Sequence, residues 1–183
     1  MTTRFKVGIT PDVLDAKGRT IYDPAAVQQA MKAGVGAEID VALGGHTDES
    51  MGKPIKVKAV VKMLSDGVFK NDGPMNAGVE TDMGPTAVLR IGGIDVVTIS
   101  NRIQTIDLQV FLSQGIDPTA KSVLVVKSVQ HFRAAYGPIA REIVLVDSGG
   151  ICSPDISRLK FKKLRRPIWP LDGVNDPFTA QRT

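Results

Sequence analysis

The sequence predicts a mixed α/β (α+β) domain: a mixed sheet with an antiparallel meander and a hairpin in its first half and a β-α-β unit in its second. Three observations carry this. Residues 55–64 alternate Ile55, Val57, Ala59 and Val61 with Lys56, Lys58 and Lys62, the pattern of a half-exposed antiparallel strand. Apolar runs 87–91 and 94–100 flank Gly92-Gly93, a two-residue hairpin signal. Residues 123–126 form an unbroken apolar run, a capped amphipathic segment follows, and a second run spans 143–146, which reads as strand, short crossover helix, parallel strand. About six to eight strands are expected.

In chain order, residues 5–9 form a first short strand and 12–20 a loop. Asp23 is an N-cap and Pro24 suits the first helical position, so residues 25–33 form a helix that Gly34 closes. Residues 37–43 then alternate Ile39, Val41 and Leu43 against Glu38, Asp40 and Ala42 as a strand, and residues 44–49 turn with His46 as a polar turn residue. After the 55–64 strand, Ser65-Asp66-Gly67 turns the chain and residues 68–70 continue the meander. Residues 71–85 form a glycine-rich loop, longer than ordinary connections and hence a good substrate-facing segment. Beyond the hairpin, Asp107 caps a helix over 108–114, closed by Gly115. Ser128 caps the crossover helix by accepting from backbone N–H groups in the turn holding Gln130 and His131, and Gly137-Pro138 ends that helix. Residues 148–154 are loop, 155–159 a helical turn, and the remainder an extended tail. One domain over 1–174 and a flexible tail over 175–183 follow from this reading.

At 183 residues, 43% apolar and 23% charged, the chain is composed like a globular protein, which excludes disordered and collagen-like classes. It contains no apolar run long enough to span a membrane and no signal peptide pattern, and its single cysteine, Cys152, precludes an internal disulfide; a cytoplasmic location is expected. The net charge of +4 is dispersed apart from Lys160, Lys162, Lys163, Arg165 and Arg166, and aromatic platforms are scarce. That footprint argues against a nucleic-acid partner.

Phosphate-loop, nucleophile-elbow and H-E-x-x-H motifs are absent. A catalytic zinc site needs three protein ligands, whereas the imidazole and thiol groups here are His46, His131 and Cys152, in three segments of different type. Lys127, Ser128 and His131 fall where a strand's carboxyl end meets a helix's amino end, a usual ligand position in α/β sheets and one that favours an anion. The bland alternative for the same residues is a cap, a solvated lysine and a packed histidine.

Seven blocks resemble one family in order: Asp23-Pro24-x-Ala26-Val27, Ala33-Gly34-Val35-Gly36-Ala37, Leu43-Gly44-Gly45, Leu64-Ser65-Asp66-Gly67, Asp82-Met83-Gly84-Pro85-Thr86-Ala87, Lys127-Ser128-x-x-His131-Phe132-Arg133-Ala134, and Arg166-Pro167-Ile168-Trp169-Pro170-Leu171-Asp172. Together they resemble the carboxy-terminal domain of microcystinase (MlrC)-type metallopeptidases over residues 21–172. The resemblance implies zinc-dependent hydrolysis of peptide or amide bonds, with the zinc held by His and Asp residues of a larger amino-terminal domain. The glycine-rich segment that opens the family's carboxy-terminal domain has no counterpart in residues 1–20, so a fragment, split subunit or truncated relative is expected. No catalytic residue and no metal ligand is assigned to this chain, and no cofactor is expected on it alone. The residues expected to face substrate or the missing domain are Lys127, Ser128, His131 and Arg133, with Asp82, Gly84 and Thr86 from the long loop and Gln104 and Asp107 beyond the hairpin. In a complete enzyme His131 and Lys127 would orient the substrate's carbonyl or carboxylate. The expected partners are that amino-terminal domain or a chain supplying it and a peptide or small amide substrate, without membrane or nucleic acid, and with a homo-oligomer open. The rival reading is a non-enzymatic module binding a small anion or a protein at the Ser128 helix start.

Overall fold

The computed structural model describes residues 6–9, 19–46, 52–128, 130–146, 157 and 160–173. The strands are β1 (Lys6–Ile9), β2 (Arg19–Tyr22), β3 (Glu38–Leu43), β4 (Ile55–Ser65), β5 (Val68–Lys70), β6 (Glu80–Asp82), β7 (Thr86–Ile91), β8 (Ile94–Ile99), β9 (Val123–Val125) and β10 (Glu142–Leu145), and the helices are α1 (Pro24–Ala33), α2 (Gln109–Leu112) and α3 (Phe132–Tyr136). Eight strands make one mixed sheet in the order β10-β1-β9-β2-β8-β7-β4-β3, and β5 and β6 pair separately. From β10 to β8 neighbouring strands are parallel, and from β8 to β3 they are antiparallel. The expected fold class is therefore observed: hairpin and meander on one side, a β-α-β unit on the other. The two strands of that unit, β9 and β10, are parallel but not adjacent, because β1 lies between them.

Three expectations change in detail. The loop expected over 12–20 ends in a strand, since Arg19–Tyr22 pairs with β8 and extends the sheet. Residues 68–70 do not continue the meander; β5 pairs with β6 as a separate ribbon, so part of the long loop is strand and the loop proper is shortened. The second helix is shorter than expected, Gln109–Leu112 followed by turns. The helical turn expected over 155–159 and the tail from 175 fall almost wholly outside the described residues.

Strand alternation sends side chains to two separate cores. Ala87 and Leu89 of β7 and Val96 of β8 pack with Ala26, Val27 and Ala30 of α1. Val88, Val97 and Ile99 point the other way and pack with Val110 and Phe111 of α2 and Phe132, Ala135 and Tyr136 of α3. The Phe111 and Tyr136 rings meet edge to face, centroids 6.2 Å apart, the geometry that brings a ring's positive edge to a negative face. Each fully buried ring contributes on the order of 2–3 kcal/mol of apolar burial.

Helix α1 starts as its sequence dictates. Asp23 Oδ1 accepts from Ala26 N at 3.0 Å, Pro24 needs no N–H partner in the first turn, and Gly34 ends the helix at φ +84°. The arm made by β3 and the first half of β4 then curls over α1, burying Ile39, Val41 and Leu43 against it, and Gly44 N reaches Asp23 Oδ2 at 3.0 Å. One carboxylate thus caps the helix and anchors the end of the arm.

Candidate functional site

Strands β2, β8 and β9 are parallel, so their carboxyl ends share one edge of the sheet, and β7 begins at that same edge because Thr86 pairs with Ile99. Most of the sequence-derived site residues lie at that edge: Gly84 leads into β7 and Thr86 opens it, Gln104 and Asp107 follow β8, Lys127, Ser128 and His131 follow β9, and Arg133 lies in α3. Open α/β sheets bind ligands at this edge because loops diverge there and leave a crevice.

Two of the loops are joined by a side-chain contact between candidates. His131 Nδ1 lies 3.0 Å from Gln104 Oε1. An amide oxygen only accepts, so in this contact Nδ1 is the donor. Both side chains are exposed, as are Lys127 and Arg133. The Arg133 guanidinium lies 5.3 Å from the Phe132 ring centroid, and that of Arg102 lies 4.5 Å from the Tyr22 ring. Three cations therefore line the edge, with one histidine able to accept or donate among them. Nothing in the sequence marks Arg102 beyond its place two residues past the apolar run 94–100.

The other candidates hold the loops in place. Asp107 is fully buried: Oδ2 accepts from Gly73 N and Oδ1 from Gln109 N, both at 2.8 Å, while its carbonyl accepts from the Tyr136 hydroxyl at 2.8 Å. It ties the long loop, α2 and α3 together. Asp82 Oδ1 accepts from Gly84 N at 2.6 Å, and Thr86 Oγ1 donates to Gly84 O at 2.7 Å. Gly84 adopts φ +65°, and a Cβ there would come within 3.0 Å of the Asn101 side chain, so this turn needs glycine twice over. Ser128 is buried and its hydroxyl accepts from Phe132 N at 3.3 Å, one residue beyond the expected turn. Helix α3 has five residues, too short for much macrodipole.

The fold is shared with a candidate metallopeptidase from Mesorhizobium sp. BNC1, whose crystal structure matches with a TM-score of 0.78 at 24% identity, over 96% of this chain and 39% of that one. The chain belongs to the MlrC C-terminus family, whose sequence model matches residues 12–163. It is also 29% identical over 154 residues to microcystinase C of a Sphingomonas species, covering 84% of this chain and 29% of that protein. The chain thus spans less than a third of that relative's length.

The relatives raise the question of a metal. Among the described residues no three His, Cys, Asp or Glu side chains are grouped so as to hold one. His46 Nε2 lies 3.5 Å from Asp23 Oδ2, yet both oxygens of that carboxylate already accept backbone N–H bonds. His131 faces an amide rather than an acid. The described residues do not fit a catalytic metal centre; Cys152 lies outside them. No helix among them is long and apolar enough to cross a membrane.

Proposed function

We propose that this chain is the carboxy-terminal, substrate-facing domain of a microcystinase-like, zinc-dependent peptide or amide hydrolase. Its metal ligands would come from an amino-terminal domain or a partner chain, and alone it would be inactive or nearly so. The observation that carries this reading is the family match over residues 12–163, combined with a sheet edge that presents cations and a histidine. There Lys127 and Arg133 would bind a substrate carboxylate, and His131, held by Gln104, would orient a substrate amide through Nε2. A single cysteine in 183 residues supports a cytoplasmic setting. The alternative, a non-enzymatic module for a small anion or a protein at the Ser128 turn, has less support, because that hydroxyl is engaged and α3 is short.

Metal content tests the division of labour. After zinc loading and dialysis the purified chain is expected to retain no zinc, and about one zinc per chain would overturn the proposal. Calorimetric titration with a peptide bearing a free carboxylate tests the edge. Lys127→Ala and His131→Ala are each expected to weaken binding about fivefold to tenfold, and unchanged affinity in both would remove these residues from the site.

A further inference from the structure

At the opposite end of the parallel strands, one buried carboxylate collects three cations. The Asp95 side chain, at the start of β8, is 1% exposed. Its Oδ2 accepts from Lys121 Nζ at 2.7 Å, Lys62 Nζ at 3.1 Å and Arg90 Nη2 at 3.1 Å, and its Oδ1 accepts from Arg90 Nε at 2.9 Å. Among the described residues no second acid pairs with any of the three cations, so within that set two positive charges are left uncompensated. Nor are the cations sealed off: the side chains of Lys121, Lys62 and Arg90 are 27%, 34% and 46% exposed. Each ammonium spends one of its three N–H groups on Asp95 and the guanidinium two of its five, so most donors remain unspent.

The arrangement is held by backbone geometry. Arg90 and Asp95 face each other one rung before the end of the β7–β8 hairpin. Lys62 is the residue at which the β4–β7 register shifts, between Val61 and Met63, and such a bulge re-aims a side chain. Lys121 arrives from the segment leading into β9. One cation would suffice to pair Asp95. Two ammoniums sharing one carboxylate oxygen repel each other, and a second anion relieves that repulsion.

We propose that Lys62, Arg90 and Lys121 form a binding site for a phosphate-type oxoanion, free or as a phosphate monoester, seated over Asp95. A dianion matches the two uncompensated charges, which a single carboxylate ligand would not. Its oxygens can accept from both ammoniums and from the guanidinium together.

The test is calorimetric titration of the full chain with inorganic phosphate at about pH 7.5, where phosphate is largely dianionic, with thermal midpoints compared in phosphate and chloride at equal ionic strength. Saturable binding and a higher midpoint in phosphate are expected. Lys62→Gln and Lys121→Gln should each weaken binding about tenfold, and Lys163→Gln, in the exposed tail, should not. Arg90→Lys, which keeps the charge and loses the two-pronged donor, stands in for any glutamine variant that fails to fold. A parallel titration with glycerol 3-phosphate separates the sources: tighter binding identifies an ester ligand, weaker binding the free ion. Equal midpoints in phosphate and chloride would overturn the proposal, as would an affinity that the Lys62 and Lys121 changes leave intact.

Discussion

Asp107 shows how one residue can be half legible. Its role as a cap follows from its position two residues ahead of α2, and Gln109 N does donate to Oδ1. Its second bond, from Gly73 N, and the Tyr136 hydroxyl on its carbonyl cross gaps of 34 and 29 residues, which no local pattern reports. Asp107→Asn replaces an acceptor by a donor facing an N–H group and is expected to cost about 2–3 kcal/mol in urea unfolding. Tyr136→Phe should cost about 1 kcal/mol, the net worth of one hydrogen bond. Burial, then the nearby Asp107 charge, pushes the Tyr136 phenol well above its usual range, so the tyrosine stays protonated in the fold. The reverse case is Thr98, whose buried hydroxyl has no partner among the described residues. Thr98→Val keeps the shape and removes the unsatisfied group, so the chain should gain about 1 kcal/mol, read as a higher urea midpoint at unchanged slope. A midpoint that fell would show that the hydroxyl has a partner after all.

Among the elements, α1 was readable from end to end because its cap, proline and closing glycine act within a few residues. What could not be read is that Asp23 also anchors the β3–β4 arm through Gly44 N. Asp23→Ala should therefore cost more than an ordinary cap, about 2–3 kcal/mol against the usual ~1. Amide exchange should show the added loss at Gly44, whereas protection lost only in the first turn of α1 would mean that the arm is held without this bond. Strand β2 is not legible in the sequence because Arg19-Thr20-Ile21-Tyr22 lacks an apolar alternation; its neighbours β8 and β9 make it a strand. Strand β6 was hidden in the same way inside a glycine-rich stretch, where only pairing with β5 reveals it.

For the whole molecule, acid stability should report the Asp95 cluster. Burial alone would raise this carboxyl's pKa, but Arg90, Lys121 and Lys62 overcome that and hold it well below the usual carboxylate range. A pKa depressed by folding adds stability above the unfolded value, near 4, and that stability is lost as pH falls from there toward the folded value. Asp95→Asn should flatten the acid limb of a stability–pH curve below about pH 4. It should also cost roughly 3 kcal/mol near neutrality, since it leaves three neighbouring cations without a counter-charge. An acid limb identical to that of the unchanged chain would remove the cluster from the account.

Local chemistry was enough for the fold class, the hairpin, the capped α1 and the strand–helix–strand unit, because alternation, caps and turn glycines act over a few residues. Of the candidate site it carried the Ser128 turn after β9, whose hydroxyl accepts from Phe132 N. Sheet order, the insertion of β1 between β9 and β10, the His131–Gln104 contact and the convergence of Lys62, Arg90 and Lys121 on Asp95 were settled by packing. These depend on which distant segments share a face or an edge once two cores close around the sheet, and a sequence window of a few residues carries no record of that choice.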